Sequence, residues 1–212
     1  MVAVVYSELI MTTIASEYHR LCRTVSDIWE HLPILEQYAL ECSHITECGA
    51  RTGISSFAFA NGLRRTPNAR LIQVDRDPLP IHFQKCAKAE GLDVIGYQMS
   101  DLECPMEDTD LLFLDMWHVY GHMRRELARW HPHVRKYILM HDTEIDRWVG
   151  ETIREKMDGE RQNRETGIPL AEIMRGIWPA VTEFLEAHPE WTLREHYPNC
   201  NGLTVLERKE PK

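Results

Sequence analysis

The sequence has no Cys-x-x-Cys and no regular cysteine spacing; its cysteines stand singly at 22, 42, 48, 86, 104 and 200. Neither a disulfide framework nor a zinc ribbon is suggested, and a reducing intracellular compartment fits best. Glycine and proline are scarce at 11 each, while 43% of residues are hydrophobic and 27% charged, which excludes collagen-like, low-complexity and disordered chains. No stretch approaches the roughly 18 apolar residues of a membrane span. The apolar run 2–5 is too short for a signal-peptide core, and Glu8 follows it without a basic lead, so a cytoplasmic protein is expected. Basic residues are in deficit, 24 against 33 acidic, a net charge of -9. That balance repels phosphate backbones and anionic bilayers, so neither nucleic acid nor membrane is an expected partner. At about 150 residues per domain, 212 residues make one domain with some embellishment.

What is present is periodicity. Ile14, Tyr18, Leu21, Val25 and Ile28 form the stripe of an amphipathic helix, which Leu32 and Leu35 continue. Pro33 interrupts it, so 27–31 is read as a join and Pro33 as part of the first turn of a second helix. Residues 1–42 are thus expected to be a helical extension and 43–212 the main domain. After Cys42, short β-rich runs at 45–48, 71–74, 94–97, 111–114 and 137–140 alternate with helical segments at 54–63, 80–90 and 120–130. Alternation of this kind gives a parallel sheet with right-handed crossovers. The segment 143–167 is dense in charge with almost no apolar face, so it is expected to be an exposed, mobile cover after the fifth strand. A helix at 177–187 follows, then strands at 192–197 and 203–207 joined by a connection short enough only for an antiparallel hairpin. The fold class is α/β: a Rossmann-like, doubly wound sheet of seven strands, five parallel plus a C-terminal hairpin.

Glu47-Cys48-Gly49-Ala50-Arg51-Thr52-Gly53 lies where the first strand gives way to a helix, so its glycines allow close backbone approach beside free N–H groups. Position 51 is Arg, so the Gly-x-Gly-x-x-Gly pyrophosphate fingerprint fails and a nicotinamide oxidoreductase is disfavoured. An acid ahead of the turn suits a ligand with positive charge. A second acid, Asp75, closes the second strand, and Ser100-Asp101 follows the third. Together with the terminal hairpin, these residues resemble the class I S-adenosylmethionine-dependent methyltransferases over about residues 43–208, with Arg51 in place of that family's middle glycine. The resemblance implies that Glu47 and Gly49 face the methionine end, Asp75 the ribose, and Asp101 the adenine amino group, with backbone contact from Leu102. Ala50, Arg51, Thr52, Gly53, Ser55, Arg76 and Asp115 complete the implied cofactor site. A plain loop carboxylate is the competing reading of Asp101.

The fourth run ends in Asp115-Met116-Trp117-His118 and the fifth in His141-Asp142. In a parallel sheet these carboxyl ends are adjacent across the ligand crevice, so the four ionisable residues converge. Two carboxylates and an imidazole form a site for Mg²⁺ or Mn²⁺, with Asp115, His141 and Asp142 as ligands. This arrangement resembles that of metal-dependent O-methyltransferases acting on sugars and catechols, with His141 in place of the first acid of their pair. The competing role for Asp142-Thr143 is to cap the next helix. Asp115, His141 and His118 are the catalytic candidates, with His118 as general base and His122 a weaker one. His131 and His133 fall at the opposite edge and are read as surface residues. Trp117, Trp148 and Trp178 lie at the binding edge, where one indole could stack on a sugar. Asn199 and Asn201 are read as turn formers with Gly202.

The stretches 176–185 and 197–206 resemble small methyltransferase domains found with glycan-building glycosyltransferases, which implies a carbohydrate acceptor such as a deoxyhexose (rhamnose) and glycosyltransferases as working partners. Methylation of a small diol or phenol is the alternative within catalysis. A nucleotide-binding domain without transfer activity is the alternative outside it. The N-terminal stripe serves equally to cap the pocket or to build a homodimer.

Overall fold

The computed structural model describes residues 12–209, so the 2–5 run and Glu8 lie outside the described part. The β-rich runs become β1 (His44–Cys48), β2 (Arg70–Asp75), β3 (Asp93–Gln98), β4 (Thr109–Leu114) and β5 (Val134–His141), and the tail gives β6 (Trp191–Tyr197) and β7 (Leu203–Arg208). The sheet order is β3-β2-β1-β4-β5-β7-β6. β1 to β5 are parallel and β7 runs antiparallel between β5 and β6. β4 is buried at every position, as a central parallel strand covered on both faces must be.

Alternate β4 residues serve different layers. Leu111 and Phe113 join a core built with α1 (Ile14–Leu21), α2 (Leu32–Ala39), α3 (Ile54–Leu63) and α4 (Ile81–Ala89). Leu112 and Leu114 face α5 (Tyr120–Trp130) on the other side. Three helices, α6 (Glu151–Arg154), α7 (Gly159–Thr166) and α8 (Leu170–Ile173), precede α9 (Trp178–Ala187), which packs beside α5. Among the described residues no helix is long and apolar enough to cross a membrane.

Two expectations are corrected. The first helix stops at Leu21 rather than running on to Ile28, and Val25 is 80% exposed. Thr24 turns its hydroxyl onto the Arg20 carbonyl at 2.9 Å, a local bond that competes with helix continuation. Ile28 is buried after the chain reverses, ahead of a 3-10 turn (Trp29–His31) that leads into α2 with Pro33 in its first turn. The segment 143–167 is not a wholly exposed excursion. Thr143, Asp146 and Thr152 are buried, and a bridge between Val149 and Arg175 ties it back. Its buried contacts are polar: Arg154 forks onto Asp146 at 2.7 and 2.8 Å, and Thr152 donates to Gln162 at 2.8 Å. A hydrophobic pattern has no signal for burial of that kind.

α2 lies so close to α3 that a Cβ at Gly62 would stand 2.5 Å from the Ala39 Cβ and 2.9 Å from the Glu36 carbonyl. Gly62→Val should therefore lower stability by about 1–3 kcal/mol, the usual cost of overpacking, measured as a fall in the denaturant midpoint. An unchanged midpoint would show that the N-terminal helices are not docked there in solution.

Candidate active site

The β1 turn is built around two glycines. Gly49 has φ +99°, and a Cβ there would meet the Asp115 carbonyl oxygen at 2.1 Å, so only glycine lets β1 and β4 come this close. Gly53, at φ +86°, opens α3. Arg51 adopts a left-handed φ of 38° without being glycine. Two contacts hold it: its N–H donates to Asp75 Oδ2 at 2.7 Å, and its guanidinium pairs with Asp27 at 2.7 Å. Asp75 also accepts from the Asp77 N–H, so each of its oxygens has one donor. Ala50 is buried, whereas Thr52 and Arg76 are exposed at the turn.

Glu47 is fully buried. It accepts from Ser55 and Ser56 at 2.6 Å each and from Gln73 at 3.1 Å, the last across the register that pairs Glu47 with Gln73. Burial outweighs these donors and pushes its carboxyl up to about 7.

Strand pairing sets the second half of the site. Leu114 is in register with Cys48 on one side and Met140 on the other, so Asp115 and His141 leave the sheet abreast. Asp142 then turns back at a left-handed φ of 57°. The result is a closed ring of alternating acids and imidazoles. Asp115 Oδ1 lies 3.3 Å from His118 Nε2 and 3.3 Å from His141 Nδ1. Asp142 closes it, 3.2 Å from His118 Nδ1 and 3.2 Å from His141 Nδ1. The other nitrogen of His141 reaches the Cys200 carbonyl at 3.0 Å. Only an N–H can bond a carbonyl, so Nε2 carries the proton, and in the neutral ring the Nδ1 lone pair faces the acids.

Burial alone would depress His118, but Asp115, Glu151 and Asp142 raise it well above the ordinary histidine value. His141 is raised in the same way, chiefly by the charge of Asp115. Asp115 is held low by the two imidazoles against its burial, whereas burial wins at Asp142 and raises it. The acids around His118 thus favour its protonated form, which works against the free imidazole expected of a base.

Several partners had no signal in the sequence. Asp146, fully buried, and Glu151 face His118 Nδ1 at 3.8 and 3.5 Å. Glu151 also exchanges backbone and side-chain bonds with His118, both at 3.0 Å. His31 bonds the Asn199 carbonyl at 2.9 Å beside the His141 ring, so the N-terminal segment supports the site.

Asp101 and His122 are brought together in a second buried group. Asp101 Oδ1 lies 3.1 Å from His122 Nε2, with Glu126 at 3.6 Å from the same nitrogen. Burial and the neighbouring Asp101 push Glu126 well up; Asp101 is held low by His122 despite its burial. Asp101 Oδ2 is buried without a partner. Asp101 is thus no exposed loop carboxylate, and His122 stands with it rather than with His118. The Leu102 N–H is engaged by Ser100 Oγ at 3.2 Å.

Of the tryptophans, Trp117 donates to Thr152 at 3.3 Å, Trp178 stacks under Arg147 at 4.2 Å, and Trp148 is 64% exposed. Asn199 and Asn201 serve the hairpin turn, their carbonyls accepting from Gly202, Glu144 and Ile145.

Residues 46–143 match the family model described as a methyltransferase domain. Just under half of the chain is thus similar to a methyltransferase domain. No curated protein matches the sequence. Among solved structures, the chain is similar to a candidate caffeoyl-CoA O-methyltransferase from Staphylococcus aureus, at 13% identity and TM-score 0.60 over 93% of this chain and 92% of that one. It is similar to an O-methyltransferase from Bacillus cereus in complex with SAH, at 14% identity and TM-score 0.58 over 95% and 94%. TomG of Streptomyces achromogenes, an O-methyltransferase of tomaymycin synthesis in complex with SAM, gives 14% identity and TM-score 0.57 over 97% and 94%.

The buried Glu47 gives a pH test of the β1 turn. Its acid is raised from 4.5 to about 7 on folding, so the folded state loses stability as pH rises through that interval. Glu47→Gln should remove this component. The variant's melting temperature should fall less than that of the wild type between pH 5 and pH 8 on an approximate titration scale, and parallel profiles would contradict the burial argument.

Proposed function

We propose that the enzyme is an O-methyltransferase that moves a methyl group from S-adenosylmethionine to a hydroxyl of a carbohydrate, with Mg²⁺ or Mn²⁺ held by Asp115, His141 and Asp142. The observation that carries this reading is the ring at the ends of β4 and β5. It gathers ligand atoms of Asp115, His118 and Asp142 within 4.8 Å of one another, with His141 Nδ1 3.3 Å from Asp115 and 3.2 Å from Asp142, and the buried Asp142 Oδ1 and both His118 nitrogens there lack hydrogen-bond partners. Donor chemistry fits a divalent cation, and the Cys200 carbonyl presets the His141 tautomer such a ligand needs.

Cofactor binding has its own support. Each Asp75 oxygen accepts one backbone N–H and keeps a lone pair for a ribose hydroxyl. Asp101 Oδ2 is an unpaired acceptor suited to an adenine amino group. Glu47 is buried beside the turn, and Gly49 holds the turn close, its N–H donating to the Val74 carbonyl at 2.8 Å and its Cα packed against the Asp115 carbonyl. S-adenosylmethionine supplies the electrophilic methyl, and a divalent cation in the ring supplies a Lewis acid for the acceptor oxygen.

The chain's own residues then manage the proton. His118 lies between Asp115 at Nε2 and Asp142 and Glu151 at Nδ1, so a proton taken from the acceptor is held on its ring and passed toward Glu151. It acts as base only once its own proton has gone. Trp148, exposed next to this edge, offers an indole face to a sugar. On this reading the enzyme works in the cytoplasm beside glycosyltransferases that build the glycan.

A mass-spectrometric acceptor screen with S-adenosylmethionine, run with Mg²⁺ and with chelator, tests the reading. Methylated deoxyhexose in Mg²⁺, lost in chelator and in Asp115→Asn, is the expected result. Transfer to catechols alone would replace the sugar, full activity in chelator would exclude the cation, and cofactor binding without transfer to any hydroxyl would make the domain non-catalytic. Asp75→Ala should weaken S-adenosylhomocysteine by about tenfold or more, roughly the 1.4 kcal/mol of one lost polar contact; unchanged calorimetric affinity would move the ribose elsewhere.

A further inference from the structure

His131 belongs to a histidine pair that the methyltransferase site does not use, at the amino-terminal edge of the sheet away from the ring. It opens the 3-10 turn (His131–His133) between α5 and β5. Its neighbours come from a distant part of the chain. His188 caps the end of α9, and Glu190 stands just ahead of β6. The rings of His131 and His188 have centroids 4.2 Å apart, and His188 Nδ1 lies 3.2 Å from Glu190 Oε1. Each of the three offers a ligand atom within 4.8 Å of the other two.

We propose that His131, His188 and Glu190 form a second metal site, for Zn²⁺ or a similar borderline divalent ion, that clips the α5–β5 corner to the α9–β6 turn.

Two features support it. His131 Nδ1 bonds the Leu127 carbonyl at 2.8 Å, so that nitrogen carries the proton and the lone pair of Nε2 is free for an ion. The supporting backbone is fixed at each point. The His131 carbonyl accepts from Arg208 at 2.6 Å, the Glu190 carbonyl from the Lys209 N–H at 2.7 Å, and the His188 carbonyl from the Trp191 N–H at 3.0 Å.

Zinc bonds of about 2.0–2.1 Å set tetrahedral ligand atoms about 3.3 Å apart, so side-chain rotation on this fixed backbone completes the site. The fourth position is left to water. A cleft of about 250 Å³ between α5 and α9, with Leu127, Phe184 and His188 in its wall, gives access from solvent. Two imidazoles with one carboxylate select against Mg²⁺, which takes oxygen ligands, whereas the set proposed in the ring has two carboxylates and one imidazole, so the two sites prefer different ions.

The test is a calorimetric titration with Zn²⁺ in excess Mg²⁺, comparing wild type with His188→Ala and with His131→Gln as a second variant that keeps a polar group of similar reach. Wild type should bind one more zinc ion per chain than either variant. Zinc should also raise the wild-type melting temperature and leave that component absent in the variants. Methyl transfer measured without zinc should be the same in all three. Equal zinc stoichiometry and affinity in wild type and in whichever variant folds would overturn the site, as would zinc binding lost only on removal of Asp115.

Discussion

The pairing of Leu114 with Cys48 on one side and Met140 on the other governs the rest of the site. It sends Asp115 and His141 out of the sheet together, and it brings the Asp115 carbonyl so near β1 that only glycine can stand at 49. The β1 turn and the acid–imidazole ring are therefore mechanically one object: moving β4 by a residue would separate them and exchange the side chains that face the two cores. Buried acids and imidazoles at separations of 3.2–3.3 Å are costly unless they neutralise one another. Raised histidines beside a lowered Asp115 are that neutralisation.

The parallel core was legible because its strands are apolar runs bounded by helix signals. The helices 54–63 and 120–130 fall where the periodicity placed them, and the short connection at 198–202 could only make a hairpin. The ring was legible for a topological reason: two apolar runs ended in ionisable residues, and parallel neighbours share an edge. The supports behind the ring were not. Asp146 and Glu151 are polar residues buried by polar partners, His31 arrives from the N-terminal segment, and Cys200 contributes a backbone carbonyl that any residue has. Periodicity reports only apolar burial, and a carbonyl leaves no mark on residue type.

Asp101 shows the same limit at one residue. Its place after β3 could be read from the chain, but its burial with His122 and Glu126 depends on α5 packing across it. Charge density over 143–167 misled for a related reason: Arg154 and Asp146 satisfy each other inside, so a charged segment became part of the wall of the site. The N-terminal helices likewise join the core that contains Leu111 and Phe113, and their join reaches the cofactor turn through Asp27 and Arg51.

The central claim is that Asp115, His141 and Asp142 act together as the ligands of one divalent ion beside the cofactor turn. Electron paramagnetic resonance of Mn²⁺ bound to protein carrying ¹⁵N-histidine tests it most directly. The account expects nitrogen hyperfine coupling that disappears in His141→Ala, together with loss of bound Mn²⁺ in Asp115→Asn. A Mn²⁺ signal with oxygen ligands alone, or one unchanged by both substitutions, would contradict it.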